Sequence, residues 1–122
     1  MTAAPEQIRE LTKGMLRKKL YVVLSRGKRG ADLLPVLPAH LDYMIALEKQ
    51  GLLFASGPFD GGASGDGLTI LRTASLEETH QIAARDPFVT NELRTFTVRE
   101  WTLMEGSFGL TVNFSDRSVE VA

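Results

Sequence analysis

The apolar residues change period along the chain, and the order of those changes allows few folds. "KLYVVLS" (19–25) is a compact β-branched and aromatic run, the composition of a central strand. After a loop rich in glycine, proline and charge (26–38), the pattern from Pro38 to Gln50 becomes helical. At about 100° per residue, Leu37, Leu41, Met44, Ile45 and Leu47 fall on one side, with Asp42, Ala46 and Lys49 opposite. Gly51 is the expected C-terminal stop. "LLFASGPF" (52–59) reads as a strand ending at Gly57-Pro58, "DGGASGDG" (60–67) as a flexible loop, and "LTILRT" (68–73) as the next strand. Ser75, with Glu78 three residues on, opens a second helix through a capping box. That helix runs to Arg85, where Asp86-Pro87 ends it, because a residue before proline is pushed out of the α region. "RTFTVREWTLM" (94–104) is the last strand of the body.

The resulting order, β-α-β-β-α-β, is that of the split βαβ, ferredoxin-like α+β fold. It predicts a four-stranded antiparallel sheet with both helices on one face. The other face then needs a cover, and in a chain of 122 residues the natural cover is a second subunit, which makes a homodimer or higher homo-oligomer the expected state. Two segments lie outside that core. Residues 5–19 place Ile8, Leu11 and Met15 at helical spacing and predict an N-terminal helix, weakened at Gly14. The tail alternates Phe108, Leu110, Val112 and Phe114, then turns at Ser115-Asp116-Arg117, the pattern of an extra C-terminal β-hairpin suited to be a dimer arm. The whole, 1–122, reads as one domain with its core at about 20–104.

Composition narrows the function. At 43% hydrophobic and 24% charged the chain can bury a core, and its net charge of −1 argues against a nucleic-acid or anionic-membrane surface. There is no cysteine, so disulfides, thiolate nucleophiles and cysteine-based zinc sites are all out. No apolar run approaches the roughly 18 residues that span a bilayer, and "MTAAPEQIRE" has no apolar signal core, so a cytoplasmic protein is expected. The glycines at 57–67 lack the GxGxxG spacing and precede a strand, not a helix. "SRGKRG" is not a phosphate loop, no GxSxG elbow is present, and His40 and His80 form no HExxH pair. No cofactor and no metal is expected.

Three features remain, each with two readings. His40 falls on the apolar face of the first helix, as a half-buried structural histidine or as a base. Asp86 is a helix stop, or a charge placed for chemistry. Gly57-Pro58 is strand punctuation, or part of a ligand wall. On the residues alone the reading ends at a soluble α+β dimer.

A longer pattern goes further. "LPAHLDYMIALEKQGLLFASGPF", followed by "GLTILRTASLEETHQIAARDPFV" and closing on "FTVREWTL", resembles the YciI-like (YCII-related domain) family. The shared elements are the "PAHL" helix start, the "G-x-L-x-x-x-GP" strand, the helix opening "SLEE", and the "DPF" after it, in register over residues 20–104. The resemblance implies a ferredoxin-like fold, a dimer of the α+β-barrel type, and a site centred on a His/Asp pair. By position these are His40 and Asp86, with Gly57, Pro58 and Phe88 lining the pocket. Related chains include a dehydrochlorinase of chloroaromatic breakdown and chloromuconolactone-processing enzymes. Relatives often carry arginine where this chain has Leu37, so an anionic substrate would lose an anchor there; Arg72 or Arg26 is the candidate replacement.

The implied activity is a cofactor-free lyase or isomerase, acting like a dehydrochlorinase or lactone isomerase by proton transfer on a small cyclic acid. His40 would be the base and Asp86 would orient it, behind an apolar wall of Met44, Leu47 and Phe88. The alternative is a small-molecule-binding or accessory dimer without turnover, its ligand undefined. One expectation bears on both. With His40 at the start of one helix and Asp86 at the end of another, the two levels differ by roughly 15 Å. Direct pairing needs a tilted helix, a folded-back 86–93 segment, or an aspartate from the other subunit.

Overall fold

The computed structural model describes residues 3–122; Met1 and Thr2, which begin the expected N-terminal segment, lie outside the described residues. In chain order the elements are α1 (Ala3–Thr12), β1 (Lys18–Gly27), α2 (Leu37–Lys49), β2 (Leu53–Pro58), β3 (Gly67–Leu71), α3 (Leu76–Ala84), α4 (Pro87–Thr90), β4 (Arg94–Leu103), β5 (Leu110–Val112) and β6 (Val119–Val121). They fall into two compact units, Lys19–Thr102 and the segments up to Lys18 together with Leu103–Ala122.

The larger unit is mixed α+β, an antiparallel sheet of four strands in the order β2-β3-β1-β4. β3 is central: Ser25 and Pro58 both pair with Gly67, and Val23 and Ser56 both pair with Thr69. A bulge between Leu53 and Ala55 shifts the β2 register. Strand residues two apart share a face, and one face carries Val23 and Leu71 against Met44 and Leu47 of α2 and Ile82 and Ala83 of α3. Phe96 and Val98 of β4 extend the same core. Tyr43 on α2 donates a hydrogen bond to the Ile82 carbonyl over 2.7 Å, which ties the two helices together. Burial pushes the Tyr43 hydroxyl above its ordinary pKa, with Arg85 opposing.

The opposite face bears Val22 and Leu24 of β1, Leu68 and Ile70 of β3, and Trp101 of β4, with Arg99 and Glu100 at its side, around a shallow concavity of about 360 Å³. Leu24 and Trp101 are 38% and 40% exposed, so this apolar face is open in the single chain.

Two sequence expectations are corrected, and one element is new. The N-terminal helix stops at Thr12, well short of residue 19. Gly14 follows it, Arg17 takes a positive φ of 54°, and the Arg17 guanidinium caps the Thr12 carbonyl at 3.1 Å. On α2 the buried side is narrower than the wheel implies: Met44 and Leu47 are buried, whereas Leu41 and Ile45 are about half exposed. The reason for Leu41 is that it faces a cavity rather than the sheet. Finally, residues 87–90 form a short helix that the sequence did not announce.

In the smaller unit, β5 and β6 pair as a hairpin, Leu110 against Val121 and Val112 against Val119. Its turn is set by Asp116, whose carboxylate accepts the Ser118 amide at 2.9 Å and is held below its ordinary pKa by that bond.

Candidate active site

The site is built where α3 ends. Ser75 caps α3 by accepting the Glu78 amide, and the helix runs to Ala84. Asp86 then leaves helical geometry (φ −57°, ψ 128°), as a residue before proline should, and restarts a helix one residue later. It is the N-cap of α4: its Oδ1 accepts the Phe88 amide at 3.0 Å, with Pro87 at the first helical position. The short α4 packs against both α2 and α3.

That packing brings Asp86 to His40. Nδ1 of His40, in the first turn of α2, lies 2.8 Å from Oδ1 of Asp86 within one chain. The pairing needs no aspartate from a second subunit: it is made within one chain, at the junction of α3 with an α4 that packs on α2. The carboxylate is buried and takes both the imidazole and the Phe88 amide on one oxygen. An ionised carboxylate only accepts, so Nδ1 carries the hydrogen and donates it. Nε2 is then the free nitrogen of a ring that lines the cavity. Phe88, 1% exposed, stacks on the imidazole with centroids 4.2 Å apart and planes 20° from parallel, which fixes the ring plane.

The cavity has a volume of about 770 Å³. Leu37, His40, Leu41 and Met44 of α2 form one wall, Phe88 and Arg94 the floor, and Ser56, Gly57, Pro58 and Thr69 the sheet side. The loops at 27–34 and 61–65 complete it. Its charged lining is cationic, Lys28, Arg29 and Arg94 against Asp32. Among the described residues no group of three or more His, Asp or Glu side chains is placed to hold a metal ion.

The expected site residues fall into two groups. His40 and Asp86 are hydrogen-bonded, and Gly57, Pro58 and Phe88 line the cavity beside His40. Arg72 is elsewhere: its guanidinium lies 5.0 Å from the Phe54 ring and donates to the Leu53 carbonyl at 3.0 Å. Arg26 is also absent from the lining, and His80 stands apart against Phe96.

The sequence reading missed Arg94. It is 8% exposed, its Nε donates to the Gly65 carbonyl at 2.8 Å, and its guanidinium carbon sits 4.5 Å from the Phe88 centroid. Burial lowers its pKa from the usual arginine value, with Asp86 and Asp66 opposing. A signal existed. Period-two alternation puts Arg94 on the same strand face as Phe96 and Val98, and a charge on the core face calls for an explanation.

This arrangement lies wholly within the stretch that a family model matches. The YCII-related domain model covers residues 19–102. The chain belongs to that family. Among solved structures, this family member is similar to the 5-chloro-2-hydroxyhydroquinone dehydrochlorinase of Burkholderia phenoliruptrix AC1100, in complex with 2,5-dihydroxybenzoquinone. The TM-score is 0.59 at 22% identity, over 67% of this chain and 92% of that one, so the likeness speaks to the fold. A search of curated proteins finds no match.

Proposed function

We propose that this YCII-related chain is a cofactor-independent lyase or isomerase that moves a proton on a small cyclic acid, with His40 as general base. The observation that carries the reading is the 2.8 Å bond from Nδ1 of His40 to Asp86 at the wall of a cavity. Imidazole is the side chain suited to take and return a proton near neutral pH. Asp86 holds it in one tautomer and stabilises the cation that forms, and Phe88 keeps its plane. In an elimination, Nε2 takes a proton from an sp3 ring carbon, that of a chlorolactone or of the diketo tautomer of a chlorinated hydroxyhydroquinone. The C–H electron pair becomes the new double bond, and chloride leaves the neighbouring carbon with its own pair. The imidazolium then returns its proton to water, so the net change is loss of HCl without oxidation or reduction.

The fold neighbour's named activity, loss of HCl from a chlorinated hydroxyhydroquinone, supports this reaction class. The strand order β2-β3-β1-β4 supports a ferredoxin-like topology, and the open apolar face supports a homodimer that covers it. The test is chloride release from a panel of chlorinated hydroxyhydroquinones and chlorolactones, by wild type and His40→Asn. Release by wild type that falls at least about 100-fold in the variant is the expected result. Binding without release across the panel, equal in both proteins, would leave a small-molecule-binding protein instead.

A further inference from the structure

Buried arginines are unusual, and this one is incompletely used. Among the described residues, Arg94 donates from Nε to Gly65, and neither Nη1 nor Nη2 has an acceptor. No fully enclosed side-chain nitrogen or oxygen there lacks a partner, so the open part of this nearly buried residue is its Nη edge, which meets the cavity. The surroundings are shaped to admit it. A Cβ on Gly67 would come within 3.3 Å of both Nη atoms, and one on Gly27 within 3.0 Å of the Gly65 backbone that holds Nε. Glycine at both positions leaves the guanidinium its berth, since a Cβ at either would press on the Nη edge or on the backbone that holds Nε.

We propose that Arg94 is the anion anchor of this cavity, and that the site selects a single planar ring bearing a carboxylate or enolate oxygen. A guanidinium presents two parallel donors to such an oxygen pair, which a point charge does not. Imidazole and guanidinium each lie within 4.5 Å of the Phe88 centroid, so their centres are at most about 9 Å apart. One six-membered ring with an exocyclic acid group bridges that span, with its acid on Arg94 and a ring carbon at Nε2 of His40. Lys28 and Arg29 add positive potential at the cavity wall. The inference rests on reading the cavity as a substrate site. It also places the anion contact on β4, whereas the helix position 37 is apolar here.

The probes are a matched pair, 2,5-dihydroxybenzoate and 2,5-dihydroxybenzamide, with affinities measured calorimetrically at low ionic strength. Wild type should prefer the acid by about tenfold or more, as a charge-assisted bidentate contact predicts. Arg94→Met should abolish the preference while leaving amide binding within about twofold. Leu37→Arg in the Arg94→Met background should restore part of it from another side of the cavity. Should Arg94→Met fail to fold, Gly67→Ala decides, since it keeps the charge but pushes the Nη edge aside by a few tenths of an ångström, and should shrink the preference alone. Equal binding of acid and amide to wild type overturns the proposal. So does a preference that survives both Arg94→Met and Gly67→Ala. If the preference depends on Arg94 but no chlorinated ring is turned over, the lyase reading fails and the anchor stands. Turnover with no such preference overturns the anchor and leaves the lyase standing.

Discussion

His40 and Phe88 stack nearly parallel, 4.2 Å between centroids, and Phe88 is the more buried of the pair. The ring therefore serves two purposes, core filling and orientation, and substitutions separate them. Phe88→Ala should cost about 3–5 kcal/mol in urea unfolding, the usual range for deleting a buried aromatic. Phe88→Leu keeps most of the apolar volume and should cost under about 1.5 kcal/mol. It removes the flat face, however, and should lower kcat/KM by about tenfold through lost orientation of the imidazole. Wild-type turnover in Phe88→Leu would show that Asp86 alone positions His40.

Asp86 also has two duties, capping α4 and holding Nδ1 of His40. Asparagine caps a helix about as well as aspartate but carries no charge. Asp86→Asn should therefore melt close to wild type while losing about 100-fold or more in turnover. Asp86→Ala removes the cap and leaves a shielded Nδ1–H without its acceptor, at about 1 kcal/mol and about 1–3 kcal/mol respectively. Comparing thermal midpoints with rates for the two variants checks the division. Parallel losses of stability and rate in Asp86→Asn would make the residue a cap only.

The elements of the core were legible because their periods were. Val23 and Leu71 alternate, Met44 and Leu47 sit at helical spacing, and the Ser75 cap and the stop at Asp86 have local causes. Three things lay beyond that reach. The N-terminal helix was read too long, because Ile8, Leu11 and Met15 keep helical spacing across a break at Thr12. The His40–Asp86 distance depends on how α2 packs against the α3–α4 junction, which no spacing within either segment encodes. Arg94 is visible in the sequence as a charge in alternation with Phe96 and Val98, but its berth is made by Gly65 and Gly67, brought to it only by the tertiary fold. Local chemistry was readable, and the meetings between segments were not.

Tyr43 sets an alkaline limit. Its folded pKa is raised, so the folded state holds the phenolic proton more tightly than the unfolded chain. The contribution is fully present below the ordinary tyrosine range near about 10 and is lost as pH rises through the folded value. The ionised oxygen can no longer donate to Ile82. Tyr43→Phe should cost about 1 kcal/mol near neutral pH and remove this limb. Urea midpoints of the two proteins from about pH 8 to about pH 11 should converge as wild type loses its advantage. Curves that stay parallel would assign the alkaline loss to another group.

The open face of the sheet carries the last prediction. Val22, Leu24, Leu68, Ile70 and Trp101 leave an apolar surface that a monomer would expose to water. If a second copy covers it, as proposed, each Trp101 lies at or near the contact, and a carboxylate there must be desolvated in place of a large apolar side chain, beside Arg99 and Glu100 of the same concavity. Trp101→Glu should shift wild-type dimers to monomers in sedimentation equilibrium, by at least about 100-fold in dissociation constant. Because Trp101 is 40% exposed in the single chain, the isolated subunit should fold unaltered, with an unchanged far-ultraviolet spectrum. The His40 cavity opens on the other face, among α2, α4 and the sheet, so acid binding should survive in the monomer. A wild type that sediments as a monomer at all concentrations would end the dimer proposal. An unaltered dimer in Trp101→Glu would move the interface off this face.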